Sequence, residues 1–223
     1  MNSTLEVFFE YLPAFVDGLR TTLSLAGLTW VGGISLGVAL TIVLPLGKRN
    51  IASAAGRTII FIVTATPMLV LLYWAHFPLQ AILEVVIDPF YTALAVLTII
   101  NTTSVYNLVG SAMARFPQQY VWAGKVTGMT AKEILLSIRI PLIARQVAPS
   151  IITLQAFMLQ STVFSSLISV EDLFRVAQRI NAIVYKPIEI YTAMALFYIA
   201  AASPLLALAA LLEHRFSRDE SER

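Results

Sequence analysis

The sequence predicts an all-α membrane protein with about five transmembrane helices. Hydrophobic residues make up 58% of its 223 residues and charged residues only 13%, which is about half the charged share of an ordinary soluble domain. The charges are clustered, so five long stretches contain no Asp, Glu, Lys or Arg. These stretches are 21 to 47, 58 to 83, 89 to 114, 146 to 170 and 190 to 212.

Each of these stretches is long enough to cross a bilayer. A hydrocarbon core of roughly 30 Å needs about 20 apolar helical residues, and even the shortest stretch, 190 to 212, reaches that length. We therefore expect a single transmembrane domain over residues 1 to 223, with the five stretches as its spans.

The basic residues indicate how the spans are oriented. With five spans, one side of the membrane receives 48 to 57, 115 to 145 and the tail after 212. Cytoplasmic loops are enriched in Lys and Arg, so we expect the N-terminus outside and the C-terminus in the cytoplasm. The same bias explains the net charge of +2 without a nucleic-acid partner. The basic residues on this side are Lys48, Arg49, Arg57, Arg115, Lys125, Lys132, Arg139, Arg145, Arg215, Arg218 and Arg223.

The connection from 171 to 189, which we call the outer connection, predicts a short amphipathic helix over the mouth of a pore. Apolar residues recur there at helical spacing among charged ones. They are Leu173, Phe174, Val176, Ile180 and Ile183.

The segment 115 to 145, which we call the inner loop, predicts two short helices separated by a glycine turn. The first covers 118 to 126, and Gly128 follows where a left-handed residue would close it. Thr130 and Glu133 have the spacing of a capping box that opens the second helix. Apolar side chains on such helices favour docking into a groove of another protein. Packing on lipid headgroups is the alternative.

The inner loop resembles the coupling-helix motif of permeases in ATP-binding cassette (ABC) importers. That motif reads Glu-Ala-Ala, three residues, Gly, nine residues, Ile, any residue, Leu-Pro, and every interval is preserved here. Pro141 closes the motif and would limit or bend the second helix. Trp122 stands where Glu is usual. By this resemblance the residues that couple to an ATPase are Trp122, Ala123, Gly124, Lys125, Gly128, Ile138 and Pro141.

Other segments resemble the histidine and glutamine type of polar amino acid permease, namely 18 to 23, 66 to 70, 170 to 173 and 186 to 191. The resemblance implies the type I importer fold and a place in the bacterial cytoplasmic (inner) membrane. It also implies three partners: a second permease subunit, identical or a sister chain; separate ATPase subunits; and a soluble substrate-binding protein. The chain itself contains no Gly-x-x-x-x-Gly-Lys-Ser/Thr phosphate loop, so ATP and Mg would be bound by the ATPase subunits. We expect a transport subunit without its own cofactor, not an enzyme.

Polar residues in the third and fourth spans are candidates for a substrate pathway. Such residues are costly in lipid and tend to face a protein interior or a water-filled path, although small hydroxyl residues also join helices. In the third span Ser111 continues the same polar face. The pathway candidates are Thr103, Ser104, Asn107, Gln160, Ser161 and Thr162.

The related permeases often carry Glu at the position of Asn107 and Lys-Asp-Thr at 160 to 162. By that comparison this chain offers a neutral wall. Either the substrate is not a simple cationic amino acid, or the second permease supplies the charged contacts.

The predicted function is therefore a permease subunit that translocates an amino acid or a similar polar solute. A membrane enzyme is disfavoured because only His76 and His214 are present, neither in a metal-binding pair, and no nucleophile elbow occurs. The alternative is a stand-alone ion-coupled carrier or channel. Such carriers are commonly built from repeats with ionisable groups inside their spans, and neither feature is evident in the sequence.

Overall fold

The computed structural model of the chain describes residues 10 to 44 and 51 to 221, and the side chains of these ranges except 51 to 53 and 217 to 221. Lys48, Arg49 and Arg223, which contributed to the expected orientation, lie outside the described residues, as does the end of the predicted span 21 to 47. The Arg218 side chain is also outside them.

Every regular element in the described ranges is helical. A π turn at Leu135–Arg139 joins α7 to α8, and a 3-10 segment at Thr162–Ile168 follows α8. The helices are α1 Leu12–Val43, α2 Ile51–Ala65, α3 Met68–His76, α4 Pro78–Ile82, α5 Pro89–Ala114, α6 Gln118–Val126, α7 Ala131–Ile134, α8 Ile140–Ser161, α9 Leu173–Val184 and α10 Pro187–Ser221.

The helices agree with the expectation of about five spans. Four are long and apolar enough to cross a membrane: α1, α5, the continuous run Ala131–Ile168, and Pro187–Phe216 within α10. A fifth is formed if Ala54–Ala65 and Met68–Ile82 are counted as one broken span.

The broken span bends by 103°, within the stretch 58 to 83 that we expected to form one span. The break falls at Pro67, which precedes α3 and has an extended backbone with ψ 136°. Proline has no N–H to continue the helical bonds, and it biases the residue before it, Thr66, away from helical geometry.

Pro141 does not end the second helix of the inner loop. The chain stays helical from Ala131 to Ile168, so this helix is the beginning of the fourth span. Pro141 is the second residue of α8 and follows directly on the π turn. Because proline clashes with the carbonyl four residues earlier, a locally wider turn before it lets the helix continue.

The core forms where α1, α5 and α8 cross. An added Cβ at Gly37 of α1 would lie 2.6 Å from the Cβ of Val105 in α5, and one at Gly33 would collide with the Asn101 side chain. Small residues of this kind let helices in a membrane approach closely.

The predicted amphipathic helix in the outer connection is confirmed as α9. Its buried face packs against Phe15 of α1 and Ile190 and Met194 of α10. Ile183, which was expected on the apolar face, is 60% exposed. The buried residues of α9 are Leu173, Val176, Ala177 and Ile180.

Candidate coupling region and substrate groove

We call residues 118 to 139 of the inner loop the coupling region. Its first helix, α6, ends at a turn that requires glycine. Gly128 has φ of +82°, the left-handed conformation that glycine adopts at little cost. Its N–H donates to the Lys125 carbonyl at 3.1 Å, and the Met129 N–H donates to the Gly124 carbonyl at 3.0 Å. This pair of bonds is the Schellman motif that closes α6.

The predicted capping box is confirmed at the start of α7. The Glu133 N–H donates to the Thr130 hydroxyl at 3.3 Å, and the Thr130 N–H donates to the Glu133 carboxylate at 2.7 Å. The glycine turn and the capping box together fix the direction in which the chain reverses between α6 and α7.

Residues of the resembled motif hold the two helices together. Gly124 is buried, and a Cβ there would lie 2.9 Å from Ile134 Cγ1 and 3.3 Å from Ile138 Cδ1. Only glycine allows this close approach without a shift of the neighbouring helix. Gly124 and Ile138 therefore act inside the coupling region.

Other residues of the motif face outward. Trp122 is 64% exposed and Val126, one turn later, is 88% exposed. Ala123, Lys125 and Pro141 are exposed as well. An exposed Trp and Val on one helix face form an apolar surface that suits a protein partner, and we call Trp122 and Val126 the α6 face.

Arg139 fastens the coupling region to the end of α5. Its guanidinium lies over the Phe116 ring, 5.4 Å from the ring centroid, and its Nη2 donates to the Met113 carbonyl at 3.4 Å. Phe116 is buried. Sequence reasoning used Arg139 only as an orientation charge; a cation–π partner 23 residues away in sequence leaves no local signal.

An open groove of about 550 Å³ lies between α5 and α8. Of the predicted pathway residues, Ser104 and Asn107 line it. Thr103 does not; its side chain is buried and its hydroxyl donates to the Ile100 carbonyl at 2.9 Å. The lining consists of Ser104, Asn107, Leu108, Ser111, Ala112, Arg115, Gln146, Val147 and Ser150.

The predicted pathway residues of the fourth span do not line this groove. Gln160 is exposed elsewhere on α8. The Ser161 hydroxyl donates to the Phe157 carbonyl and the Thr162 hydroxyl to the Leu159 carbonyl, both at 2.8 Å. Hydroxyls bonded in this way to their own helix are satisfied without a substrate.

A buried pair of amides that sequence reasoning missed joins three spans. The Asn101 Nδ2 donates to the Thr29 carbonyl at 3.0 Å and to Gln155 Oε1 at 2.9 Å, and Gln155 Nε2 donates back to Asn101 Oδ1 at 3.3 Å. Asn101 is 0% exposed and Gln155 5%. Both amides lie in charge-free stretches, but the sequence alone does not reveal that they face each other.

A buried carboxyl at the start of α9 was also missed. Asp172 is 0% exposed. It accepts from the Arg175 N–H at 2.8 Å and from the Ser165 hydroxyl at 3.3 Å. The adjacent Leu173 N–H donates to the Thr22 hydroxyl at 3.0 Å. Burial raises the pKa of Asp172 to about 6, against the hydrogen bonds that lower it.

Within the described ranges, no three His, Cys, Asp or Glu residues are grouped so as to hold a metal ion. The polar side chains that line the groove are amides, hydroxyls and the guanidinium of Arg115.

Two solved structures share the fold. An amino acid ABC transporter crystallised with histidines has a TM-score of 0.85 and 22% identity, over 96% of this chain and all of that one. The inward-facing MetNI methionine ABC transporter has a TM-score of 0.68 and 16% identity, over 94% of this chain and 95% of that one. The fold is that of a type I ABC importer permease.

Two named relatives match nearly the full chain. The glutamine transport system permease protein GlnP of Escherichia coli (strain K12) is 25% identical over 205 residues, 92% of this chain and 93% of its own. The nopaline transport system permease protein NocM of Agrobacterium fabrum is 23% identical over 204 residues, 87% and 84% respectively. The family described as the binding-protein-dependent transport system inner membrane component matches residues 12–218, and the chain belongs to this family.

Proposed function

We propose that this permease subunit moves an amino acid or an amino-acid-like polar solute across the bacterial cytoplasmic membrane. The observation that carries the proposal is the groove between α5 and α8, where amides and hydroxyls from two spans face a space of about 550 Å³. This volume lies in the range of small-molecule sites. The names of the glutamine and nopaline relatives support the same class of solute.

Ser104 and Asn107 are the pathway residues that the groove supports. They lie on one face of α5, opposite Gln146 and Ser150 of α8. Thr103, Gln160, Ser161 and Thr162 remain predictions, and the groove gives them no support.

The ATPase partner docks, in this proposal, on the α6 face. Trp122 and Val126 are exposed, while Gly124 and Ile138 are used internally to hold α6 against α7. ATP and Mg are bound by that partner. A second permease completes the pathway, and a soluble binding protein delivers the solute from outside, where the N-terminus lies.

Movement of the coupling region reaches the groove along one helix. The run Ala131–Ile168 is continuous, and Gln146 lies on it roughly 20 Å from Ala131 along the helix axis. Arg139 ties the same run to the end of α5. A displacement of α7 by the ATPase would therefore shift both walls of the groove, the basis for alternating access.

The test is ATP-dependent uptake in proteoliposomes that contain the permease, its ATPase and its binding protein. We expect uptake of at least one of radiolabelled glutamine, glutamate, arginine and nopaline, and loss of uptake with vanadate. Asn107→Leu should lower uptake, whereas Ile99→Leu, on the exposed surface of the same helix, should not. Uptake driven by an ion gradient without the ATPase would overturn the proposal in favour of a stand-alone carrier.

A further inference from the structure

We infer that Arg115 makes one end of the groove an anion-recognising site, which favours solutes with an additional carboxylate and disfavours cationic ones. The inference rests on the proposed function, because it names the class of solute that the same groove would select. The interaction would be an ion pair between the Arg115 guanidinium and a carboxylate of the solute.

The charge of the groove supports this inference. Arg115 is the one ionisable side chain in the lining, and no Asp or Glu lines the groove. Arg115 takes part in neither the Arg20–Asp17 nor the Arg179–Glu171 ion pair, and it has no carboxylate partner among the described residues. The groove therefore presents one positive charge that no carboxylate among the described residues pairs with.

The position of Arg115 directs that charge toward the groove. Arg115 caps the C-terminal end of α5, and its Nε donates to the carbonyl of Ser111, itself a lining residue, at 3.4 Å. This contact holds the Nε of the guanidinium against the last turn of α5. Asn107, two turns earlier, and Gln146 across the groove offer neutral hydrogen bonds to the rest of a solute.

The physical chemistry of the pair favours a carboxylate. A guanidinium presents a planar set of donors that matches the two oxygens of a carboxylate. Leu108, Ala112 and Val147 form apolar walls beside it, but Arg115 is exposed, so the ion pair has the modest strength of a partly solvated one. A cationic solute meets a like charge at the same place and is disfavoured.

A different role for Arg115 would be orientation alone. Basic residues favour the cytoplasmic ends of spans and the C-terminal ends of helices. In that role the side chain would not respond to the charge of a solute, which gives the experiment its contrasting outcome.

The experiment measures binding of radiolabelled glutamate, glutamine and arginine to the purified permease–ATPase complex, without binding protein and at matched ionic strength. These probes share their α-amino and α-carboxyl groups and differ in side-chain charge. We expect glutamate to bind more tightly than arginine. Arg115→Gln should weaken glutamate about two- to fivefold, the range for a partly exposed ion pair, and weaken glutamine less, because glutamine lacks the side-chain carboxylate.

Two further variants make the result specific. Arg115→Glu should reverse the order, so that arginine binds more tightly than glutamate. Arg145→Gln, an exposed residue outside the lining, should behave as the wild type and controls for the loss of a nearby positive charge.

An unchanged ratio of glutamate to arginine affinity in both Arg115 variants would overturn the inference, and so would the absence of glutamate binding to the wild type. Uptake separates this failure from failure of the proposed function. If ATP-dependent uptake persists while the affinity ratio does not respond to Arg115, only the charge selectivity is wrong. If no solute is taken up, the proposed function fails as well.

Discussion

Gly124 of α6 lies against Ile134 of α7 so closely that a Cβ on the glycine would be 2.9 Å from Ile134 Cγ1. Real Cβ atoms are not found at such distances, so the two helices of the coupling region depend on the absence of a side chain at this position. The contact makes α6 and α7 one rigid unit, which is what a mechanical link between an ATPase and a pore requires.

Gly124→Ala is expected to lower the free energy of unfolding by about 1–3 kcal/mol, the cost of overpacking a close contact. It should also reduce the ATP hydrolysis that the binding protein stimulates, because α6 can no longer seat against α7. Thermal unfolding and ATPase assays of the complex measure the two effects.

The matched control is Gly27→Ala in α1, where a Cβ would meet nothing within 4 Å. Alanine is a better helix former than glycine, so this control should be neutral or slightly stabilising. If both alanine variants behave alike, the close contact at Gly124 has no mechanical role.

Trp122→Ala is expected to weaken binding of the ATPase roughly ten- to thirtyfold, since a large aromatic at the centre of an interface carries much of its energy. Its 64% exposure in the isolated chain means that thermal stability of the permease alone should change little. Affinity is measured by pull-down of the ATPase at several concentrations.

Tyr185→Ala removes another exposed aromatic, 83% exposed and located at the end of α9, and should leave ATPase binding intact. An equal loss in the two variants would indicate a general effect of surface aromatics, and an intact affinity in Trp122→Ala would remove the α6 face as the docking surface.

Much of the fold could be predicted from local patterns in the sequence. The charge-free stretches predicted the spans because lipid excludes charge, and the run 89 to 114 coincides with α5. The capping box could also be predicted from the sequence, because its two residues, Thr130 and Glu133, are only three positions apart. The turn at Gly128 could be predicted as well, because glycine is the residue that adopts a φ of +82° at little cost.

Contacts between residues that are distant in the sequence could not be predicted from those patterns. Asn101 and Gln155 are 54 residues apart, and the sequence shows two amides in apolar stretches without showing that they bond to each other. Polar residues in a span look alike whether they satisfy one another or face a groove. The pathway candidates therefore include both Ser104, which lines the groove, and Thr162, whose hydroxyl bonds to the Leu159 carbonyl.

The amide pair should respond to a double-mutant cycle. Asn101→Leu and Gln155→Leu each leave a buried amide without its partner, and each should cost about 1–3 kcal/mol of unfolding free energy. The double variant should cost less than the two single variants together, because no orphaned amide of the pair remains. Thermal or denaturant unfolding of the complex gives the cycle.

Thr153→Val serves as the control for this cycle, because it also removes a polar group from α8 but its hydroxyl bonds only to the Pro149 carbonyl of the same helix. Its effect should be small and additive with Asn101→Leu. Additive costs for Asn101 and Gln155 would mean that their hydrogen bonds do not join α5 to α8.

Asp172 should give the chain an unusual dependence of stability on pH. Its folded-state pKa is raised to about 6 from an ordinary value of 3.8, chiefly by burial and with a smaller contribution from Glu171, while Arg175 opposes the shift. Between these two values the folded state keeps a proton that the unfolded state has lost. The contribution of Asp172 to stability is therefore greatest below about pH 4, falls as the pH rises through the folded-state pKa of about 6, and is constant at higher pH.

Asp172→Asn should remove this dependence, since the amide keeps an acceptor for the Arg175 N–H but cannot ionise. The difference in unfolding free energy between variant and wild type should grow from pH 4 to pH 6 by about 2 kcal/mol in favour of the variant. Thermal unfolding across this range measures it, with Asp17→Asn on the exposed face of α1 as control. A constant difference between pH 4 and 6 would show that Asp172 stays ionised in the folded protein, and its carboxylate would then need a compensating charge that the neutral hydroxyl of Ser165 does not provide.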